Sequence, residues 1–325
     1  MTTRSVGVIV PSYGTLAEIV PLLTSLIGPN VPAEDRPDRV VVVDDAFPGP
    51  IDESVLPDGA ELIRREHNGG FGAAVNTGLA EIRDLDLALV LNSDLTLPER
   101  FLSTLLEHAE PWLPAVIGCR SEDESGRSGY AARIFPTESQ QIIEWLHPLA
   151  GLRHLRPLHR AVGHDMAAEE STGMVPVDWV SGAVMLLPIQ EVLAVGGLDE
   201  DFFMYTEEVD LQRRLAERGI PAVFDADLTV KHVGGGSSGS EERRRGWLTN
   251  ARDLYARKHL NPTVLRSGLY AASAINLIWG SARKLAGRPV NPWRTFRFET
   301  GLLQRARRFH AEPPGADHPR TDHPS

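Results

Sequence analysis

Four groups of polar side chains fall where chemistry is done. Asn92-Ser93-Asp94 directly follows the apolar run Leu87–Leu91, so the Asp94 carboxylate is expected at the end of a strand. A carboxylate there can hold a divalent cation that bridges the phosphate oxygens of a nucleoside diphosphate. The same three residue types also make an ordinary strand-end turn. His232, after the strand-like Leu228–Lys231, can complete a metal site with Asp94 or can be structural. From Asn68 to Asn76 three glycines precede a helix start, which permits close backbone approach and aims amide donors at a ligand. Their spacing is not that of the dinucleotide-binding fingerprint.

The fourth group runs from Gly196 to Leu211 and sets six acidic residues around Phe202, Phe203, Met204 and Tyr205. A solvated acidic face does not normally carry such aromatics at its centre. On a helix, Glu208 and Asp210, two residues apart, point in different directions. One carboxylate can then face a crevice as a general base while another caps the helix. The alternative is a set of capping acids beside an aromatic core cluster.

The elements that must position these groups alternate. Strand-like runs at Val6–Val10, Val40–Val43, Glu61–Arg64 and Leu87–Leu91 are separated by helical patterns at Leu16–Leu26 and Ala73–Ile82. That alternation predicts an α/β fold with a mostly parallel sheet covered on both faces, which is why the runs are continuously apolar. Ser12-Tyr13, Asp44-Asp45 and Asn92-Ser93-Asp94 follow the runs, at the carboxyl ends where open α/β sheets bind ligands. Residues 120–176 are less regular and rich in Gly, Ser, His and Pro. Regularity returns at Val177–Leu187, with a helix over Val209–Arg218, a strand at Ala222–Phe224 and helix from about Trp247. The stretch from Gly234 to Gly239 reads as a flexible loop. The reading divides the chain into 1–119 (nucleotide-sugar-binding half), 120–245 (acceptor and catalytic half), 246–312 (helical extension) and 313–325 (disordered tail).

The chain has 325 residues, 42% of them hydrophobic, enough for one large α/β unit with an extension. A single cysteine, Cys119, excludes an intrachain disulfide framework and fits a reducing compartment. The first apolar run is too short for a leader core and reads as a strand. The net charge of −11 hides a split: residues 243–325 hold 16 basic and 5 acidic side chains, leaving 17 and 39 for residues 1–242. A basic tail can face a membrane surface or a lipid pyrophosphate, or be a solvated arginine-rich helix. No nucleic-acid-binding motif accompanies the charge. Gly268–Ala282 is uncharged but too short to span a bilayer; it is either an interfacial helix or a core helix.

Taken in order, the motifs resemble the family-2 type of inverting glycosyltransferases with a GT-A fold, in particular the rhamnosyltransferase-like subgroup. The matching residues are Pro11/Tyr13, Asp44-Asp45, Asn68 to Asn76, Asn92/Asp94, Trp179-Val180-Ser181-Gly182-Ala183, Gly196 to Leu211, and His232. The resemblance implies a GT-A domain with a C-terminal helical extension and a nucleotide-sugar site made by Pro11, Tyr13, Asp44, Asp45, Asn68, Gly70, Asn76, Asn92 and Asp94. It implies Mg²⁺ or Mn²⁺ held by Asp94 and His232, and an acceptor side lined by Trp179, Ser181, Gly182 and Glu207. The family's base is the aspartate of a Glu-Asp pair, where this chain has Glu208; Asp210 or Glu207 is the substitute if the longer side chain misplaces the carboxylate.

The implied reaction moves a sugar, rhamnose- or galactofuranose-like, with inversion, from a dTDP- or UDP-linked donor to a glycan or polyprenyl-pyrophosphate-linked hydroxyl. Its setting is bacterial cell-wall or surface polysaccharide synthesis in the cytoplasm, with peripheral attachment at the inner face of the plasma membrane. Two other functions compete. Glu208 in place of aspartate would fit a protein of this fold that binds nucleotide sugar without catalysis. A nucleotidyltransferase would carry a glycine-rich basic loop after the first strand, where this chain reads Pro11-Ser12-Tyr13-Gly14-Thr15-Leu16.

Overall fold

The apolar runs become strands whose side chains alternate between the two faces of a sheet. The computed structural model describes residues 4–152, 155–232 and 240–309; the stretch 234–239 and the tail 313–325 lie outside the described residues. In chain order the strands are β1 Val6–Ser12, β2 Arg39–Asp44, β3 Ala60–Arg64, β4 Leu87–Leu91, β5 Leu95–Thr96, β6 Val116–Glu122, β7 Ala132–Arg133, β8 Met174–Val177, β9 Trp179–Val180, β10 Val184–Pro188 and β11 Ala222–His232. The helices are α1 Val20–Ile27, α2 Phe71–Glu81, α3 Phe101–Ala109, α4 Glu138–Trp145, α5 Arg156–Ala161, α6 Met166–Glu169, α7 Ile189–Ala194, α8 Glu207–Ala216, α9 Glu241–His259, α10 Pro262–Leu285 and α11 Pro292–Phe309.

The main sheet has the order β3-β2-β1-β4-β10-β6-β11-β5, with β8 also paired to β11. The β3-β2-β1-β4 half is wholly parallel. β10 enters antiparallel between β4 and β6, and β6 pairs parallel with β11. Val6, Val8, Val10, Leu87, Leu89 and Leu91 pack on one face with α1 and α3. Ile9, Val41, Val43, Ala88 and Val90 pack on the other with α2, α7 and α8. The α/β architecture expected from the sequence is therefore present, but the sheet is mixed and not mostly parallel, its pairings divided equally between parallel and antiparallel.

Several local expectations change. The Leu16–Leu26 helix is split into a short 3-10 turn and α1, with Pro21 in the first turn of α1; proline is tolerated there because its amide has no partner to lose. Val177–Leu187 is broken into β9 and β10 at Ser181-Gly182. β11 runs eleven residues, not three, past an irregularity between Asp225 and Thr229, and its end reaches β5. Residues 120–176 contain three helices and two short strands, one of which, β7, pairs with β9 in a separate ribbon.

The C-terminal helices form the expected extension, but it starts at Glu241, where Ser240 accepts a hydrogen bond from the Arg243 amide and so caps α9. Asn261 caps α10 in the same way, followed by Pro262. Trp145 on α4 packs with Ala256, Leu265, Leu269, Leu302 and Leu303; each buried leucine contributes roughly 1.5–3 kcal/mol. Ala251 and Tyr255 of α9 join Trp179, Phe202 and Val209. The extension is thereby packed onto the half of the sheet that carries the acidic motif.

Candidate active site

The carboxyl ends of β1, β2 and β4 open toward one edge of the sheet. Ser12 pairs with Asp44 across β1 and β2. Asp44 is fully buried; it accepts a hydrogen bond from the Phe47 amide at 3.1 Å and lies 3.3 Å from Arg64 Nε. Asp45 accepts the amides of Gly69 and Gly70 at 3.0 and 2.7 Å and lies 3.4 Å from Arg65. Burial raises its pKa, and the two amides and Arg65 only partly offset that. Asn68 Oδ1 also accepts the Gly70 amide, at 3.2 Å. Asp45 and Asn68 thus tie the end of β2 to the glycine loop. Tyr13 stands edge-on to Phe47, ring centres 5.7 Å apart, beyond Pro11 at the end of β1. Together they make an aromatic rim on which a flat base can rest.

The glycine loop has a second task. Gly70 has φ of 86°, and a β-carbon there would fall 1.6 Å from the carbonyl oxygen of Phe203. Only glycine lets the Phe203 backbone cross so closely. Asn76, expected beside the donor, is spent on the same junction: its amide donates to Leu198 O at 2.8 Å and Glu200 Oε1 at 2.9 Å, and its carbonyl accepts the Leu198 amide at 2.9 Å. It fastens α2 to the Gly196-Gly197-Leu198 turn, and does not present its amide to a donor.

After that turn, Tyr205 and Thr206 take φ of 72° and 75°, a left-handed pair costing on the order of 1–3 kcal/mol per residue. The twist swings the chain into α8 with Glu207 and Glu208 in its first turn. Gln212 locks this helix to β9: it accepts the Val180 amide and donates to the carbonyls of Val180 and Glu208. Glu207 is buried with one oxygen lacking a hydrogen bond. Burial and then the Glu208 charge push Glu207 well up. Glu208 is half-buried; burial raises it, while backbone amides and the Arg133 charge pull it down. A β-carbon on Gly182 would sit 3.6 Å from both the Glu208 side chain and the Phe71 ring, so Gly182 leaves the space in front of Glu208 open. Trp179 donates to Ile134 O at 3.0 Å, and the Ser181 amide to Ala131 O at 3.0 Å.

At the other wall, Asp94 Oδ1 and His232 Nε2 lie 3.0 Å apart. The pairing of His232 with Leu95 across β11 and β5 brings them together. Asn92 stands beside them, its amide 3.4 Å from the imidazole and its backbone amide bonded to Ala183 O. The pair fits a divalent cation: one carboxylate oxygen and one imidazole nitrogen are at the spacing of adjacent ligands on an octahedral ion with bonds of 2.0–2.1 Å, about 3 Å. Among the described residues no cluster of three or more such ligands exists.

Asp210 departs from its expected catalytic role. Its carboxylate is wholly buried and bonded to Arg214 at 2.8 Å, Lys258 at 2.8 Å and His259 at 2.7 Å. Burial alone would raise it, but hydrogen bonds from His259 and Lys258 and the Arg214 charge outweigh that and hold it at about 2. It joins α8 to α9, its carboxylate committed to three partners. A hollow of about 460 Å³ lies behind this junction, walled by Asn76, Asp199, Glu200, Arg214 and Lys258. It is separate from the strand-end crevice.

Sequence reading missed Arg133. It lies in β7, inside the segment read as variable, and its guanidinium rests 5.2 Å from the centre of the Trp179 ring. Burial lowers its pKa, with Glu144 and then Glu208 opposing the shift. The signal available was the alternation around Ala132-Arg133, too short to stand out as a strand.

A half-parallel sheet with an acidic pair at its strand ends, crossed by an antiparallel strand and backed by an acidic helix, defines a GT-A-type α/β fold. Two solved structures share it: GalNAc-T7 with UDP, GalNAc and Mn²⁺ (TM-score 0.53, 11% identity, 93% of this chain and 55% of that one), and the mannosyltransferase PcManGT from Pyrobaculum calidifontis in complex with GDP-Man and Mn²⁺ (TM-score 0.51, 17% identity, 94% and 87%). Residues 7–164 match the model of glycosyl transferase family 2. The chain is 29% identical over 198 residues to N-acetylglucosaminyl-diphospho-decaprenol L-rhamnosyltransferase of Mycobacterium tuberculosis, covering 58% of this chain and 61% of the relative. It is 28% identical over 159 residues to rhamnosyltransferase WbbL of Escherichia coli K12, covering 46% and 56%. The match thus spans about three-fifths of the length of these relatives. Over the matched residues the chain is similar to family-2 glycosyltransferases, rhamnosyltransferases among them, and its fold is of the GT-A type.

Proposed function

We propose that the chain is an inverting, metal-dependent glycosyltransferase that moves a rhamnose- or galactofuranose-like sugar from a dTDP- or UDP-linked donor to a lipid-linked glycan hydroxyl. The carrying observation is the meeting of Asp94 and His232 at 3.0 Å at the end of β4. The name of the mycobacterial relative, which specifies an N-acetylglucosaminyl-diphospho-lipid acceptor and rhamnose, supports the choice of sugar and acceptor. Cell-wall or surface polysaccharide assembly in the cytoplasm, at the inner face of the plasma membrane, is the corresponding setting. In this scheme residues 1–119 bind the donor, the following residues up to Ser240 the acceptor, and the helices from Glu241 to Phe309 form the supporting extension.

Asp94 and His232 hold Mg²⁺ or Mn²⁺, which when bound neutralises the diphosphate and stabilises it as a leaving group. Pro11, Tyr13 and Asp44 border the base and ribose, while Asp45, Asn68 and Gly70 keep the loop beneath the donor in shape. Trp179, Ser181, Gly182 and Glu207 frame the acceptor. Glu208 takes the proton of the acceptor hydroxyl as that oxygen bonds to the anomeric carbon. The bond from that carbon to the diphosphate oxygen breaks, and the electron pair leaves with the diphosphate. Attack from the opposite face inverts the centre, and no sugar–enzyme bond forms. Its raised pKa suits Glu208 to the task, since a base works best when its pKa approaches the working pH. The second reading, a nucleotide-sugar-binding protein without turnover, rests on glutamate standing where the resembling family has aspartate.

Calorimetry of donor binding with and without Mn²⁺ tests the assignment, using dTDP-rhamnose, UDP-galactofuranose, UDP-GlcNAc and GDP-mannose. Asp94→Ala is expected to abolish the Mn²⁺-dependent part of binding, and His232→Ala to weaken it less. Unchanged affinity of Asp94→Ala in the presence of Mn²⁺ would remove the site.

A further inference from the structure

α10 is apolar on two sides, with Leu265, Leu269 and Ala272 buried beside Ser273 and Asn276 on its inward face. Its inward face carries a polar network: Ser273 accepts from the Trp145 indole at 2.9 Å, and Asn276 bonds to the backbone of Trp145 and His147 and to Glu299. Ser273, Asn276 and Glu299 are all buried, and Glu299 is further held by His147 at 3.0 Å. The outward face is apolar too. Ile275, Ile278, Trp279 and Leu285 are 48%, 70%, 43% and 91% exposed, and Trp293 at the start of α11 is 60% exposed. Val264 and Ile275 are eleven residues apart and Ile278 three further on, which keeps them on one side of a helix. The inward apolar residues are accounted for by the Trp145 cluster; these outward ones have no such partner among the described residues, and apolar side chains gathered on an exposed face mark a contact surface.

The rim of this face is basic: Arg283, Lys284, Arg288 and Arg294 are all exposed. No helix among the described residues is long and apolar enough to cross a membrane. We infer that the outer face of α10 with the start of α11 is a docking surface for an anionic lipid bilayer, lying in the headgroup region. Ile275, Ile278 and Leu285 enter the acyl boundary, Trp279 and Trp293 sit at headgroup level, and the four cations meet lipid phosphates. Charge complementarity selects this occupant over a second copy of the chain. A second copy offers no carboxylate between residues 262 and 294 to meet these cations, whereas anionic lipid neutralises them. The inference concerns a surface apart from the catalytic crevice and does not need any donor or acceptor assignment to hold.

Flotation of the full chain with vesicles tests it, comparing equal parts phosphatidylcholine and phosphatidylglycerol with phosphatidylcholine alone. At low salt the protein is expected to float with the mixed vesicles and to remain behind with the neutral ones. Arg283→Gln/Lys284→Gln/Arg288→Gln should lower the partition coefficient on the order of 100-fold, at roughly fivefold for each cation. Ile278→Ser/Trp279→Ala should also release the protein, and circular dichroism melting should show that both variants stay folded, because all five side chains are exposed. Donor binding in solution should be the same in both variants, which separates this face from the crevice. Absence of flotation at low salt would overturn the inference, as would flotation untouched by either variant. A wild-type dimer by sedimentation that Ile278→Ser/Trp279→Ala converts to monomer would equally overturn it, assigning the face to a second copy.

Discussion

His259 Nε2 lies 2.7 Å from Asp210 Oδ1, joining the last turn of α9 to the first turn of α8. With Arg214 and Lys258 on the same carboxylate, Asp210 acts as the anchor by which the helical extension fixes the acidic helix. Its position two residues from Glu208 is therefore a matter of support for the site.

Asp210→Ala leaves Arg214, Lys258 and His259 around a buried gap, and removal of one partner from such a cluster costs about 3–5 kcal/mol. Chemical denaturation should show that loss, with turnover per folded molecule largely kept. The pH dependence has a definite sign. Asp210 is held at about 2 in the folded chain, below its unfolded value near 3.9. Its contribution is complete above the unfolded value and is lost as pH falls through that value toward 2. The variant should lack this acid-side slope. Unchanged stability with abolished turnover would return Asp210 to the chemistry.

Arg133 offers a separate test through Glu208. Burial raises Glu208 and the Arg133 charge opposes the rise, so a neutral side chain should let it rise further. A base must be deprotonated, and the rate falls as pH drops through its pKa. In Arg133→Gln the acid limb of kcat/KM should move to higher pH, with a smaller change at the alkaline plateau. Lost packing on Trp179 alone would scale the whole profile without moving the limb.

How much of this was legible in the sequence depended on whether a signal was local. β1, β2 and β4 announced themselves because strands buried on both faces are continuous apolar runs. Asp94 and His232 were legible as a pair by motif order, and the β5–β11 pairing explains why they meet. The opposite happened with Asn76 and Asp210. Both matched a motif by residue type, yet partners 122 and 49 positions away decide where their polar atoms go. Arg133 was invisible because a two-residue strand has no period to detect. The exposed apolar face of α10 was likewise hidden, since composition reports an uncharged helix without saying which apolar residues are inside.

Turnover and donor affinity of Glu208→Gln, Glu208→Asp and wild type, measured side by side, test the central claim most directly. Glutamine keeps the shape and removes the proton acceptor, so turnover should fall on the order of 10²–10⁴-fold while donor affinity stays within about twofold, a change below about 0.5 kcal/mol. Glu208→Asp should retain substantial activity, because a carboxylate remains at the mouth left open by Gly182. Near-wild-type turnover in Glu208→Gln would contradict the account, and an equal loss of turnover and donor affinity would make Glu208 a binding residue instead of the base.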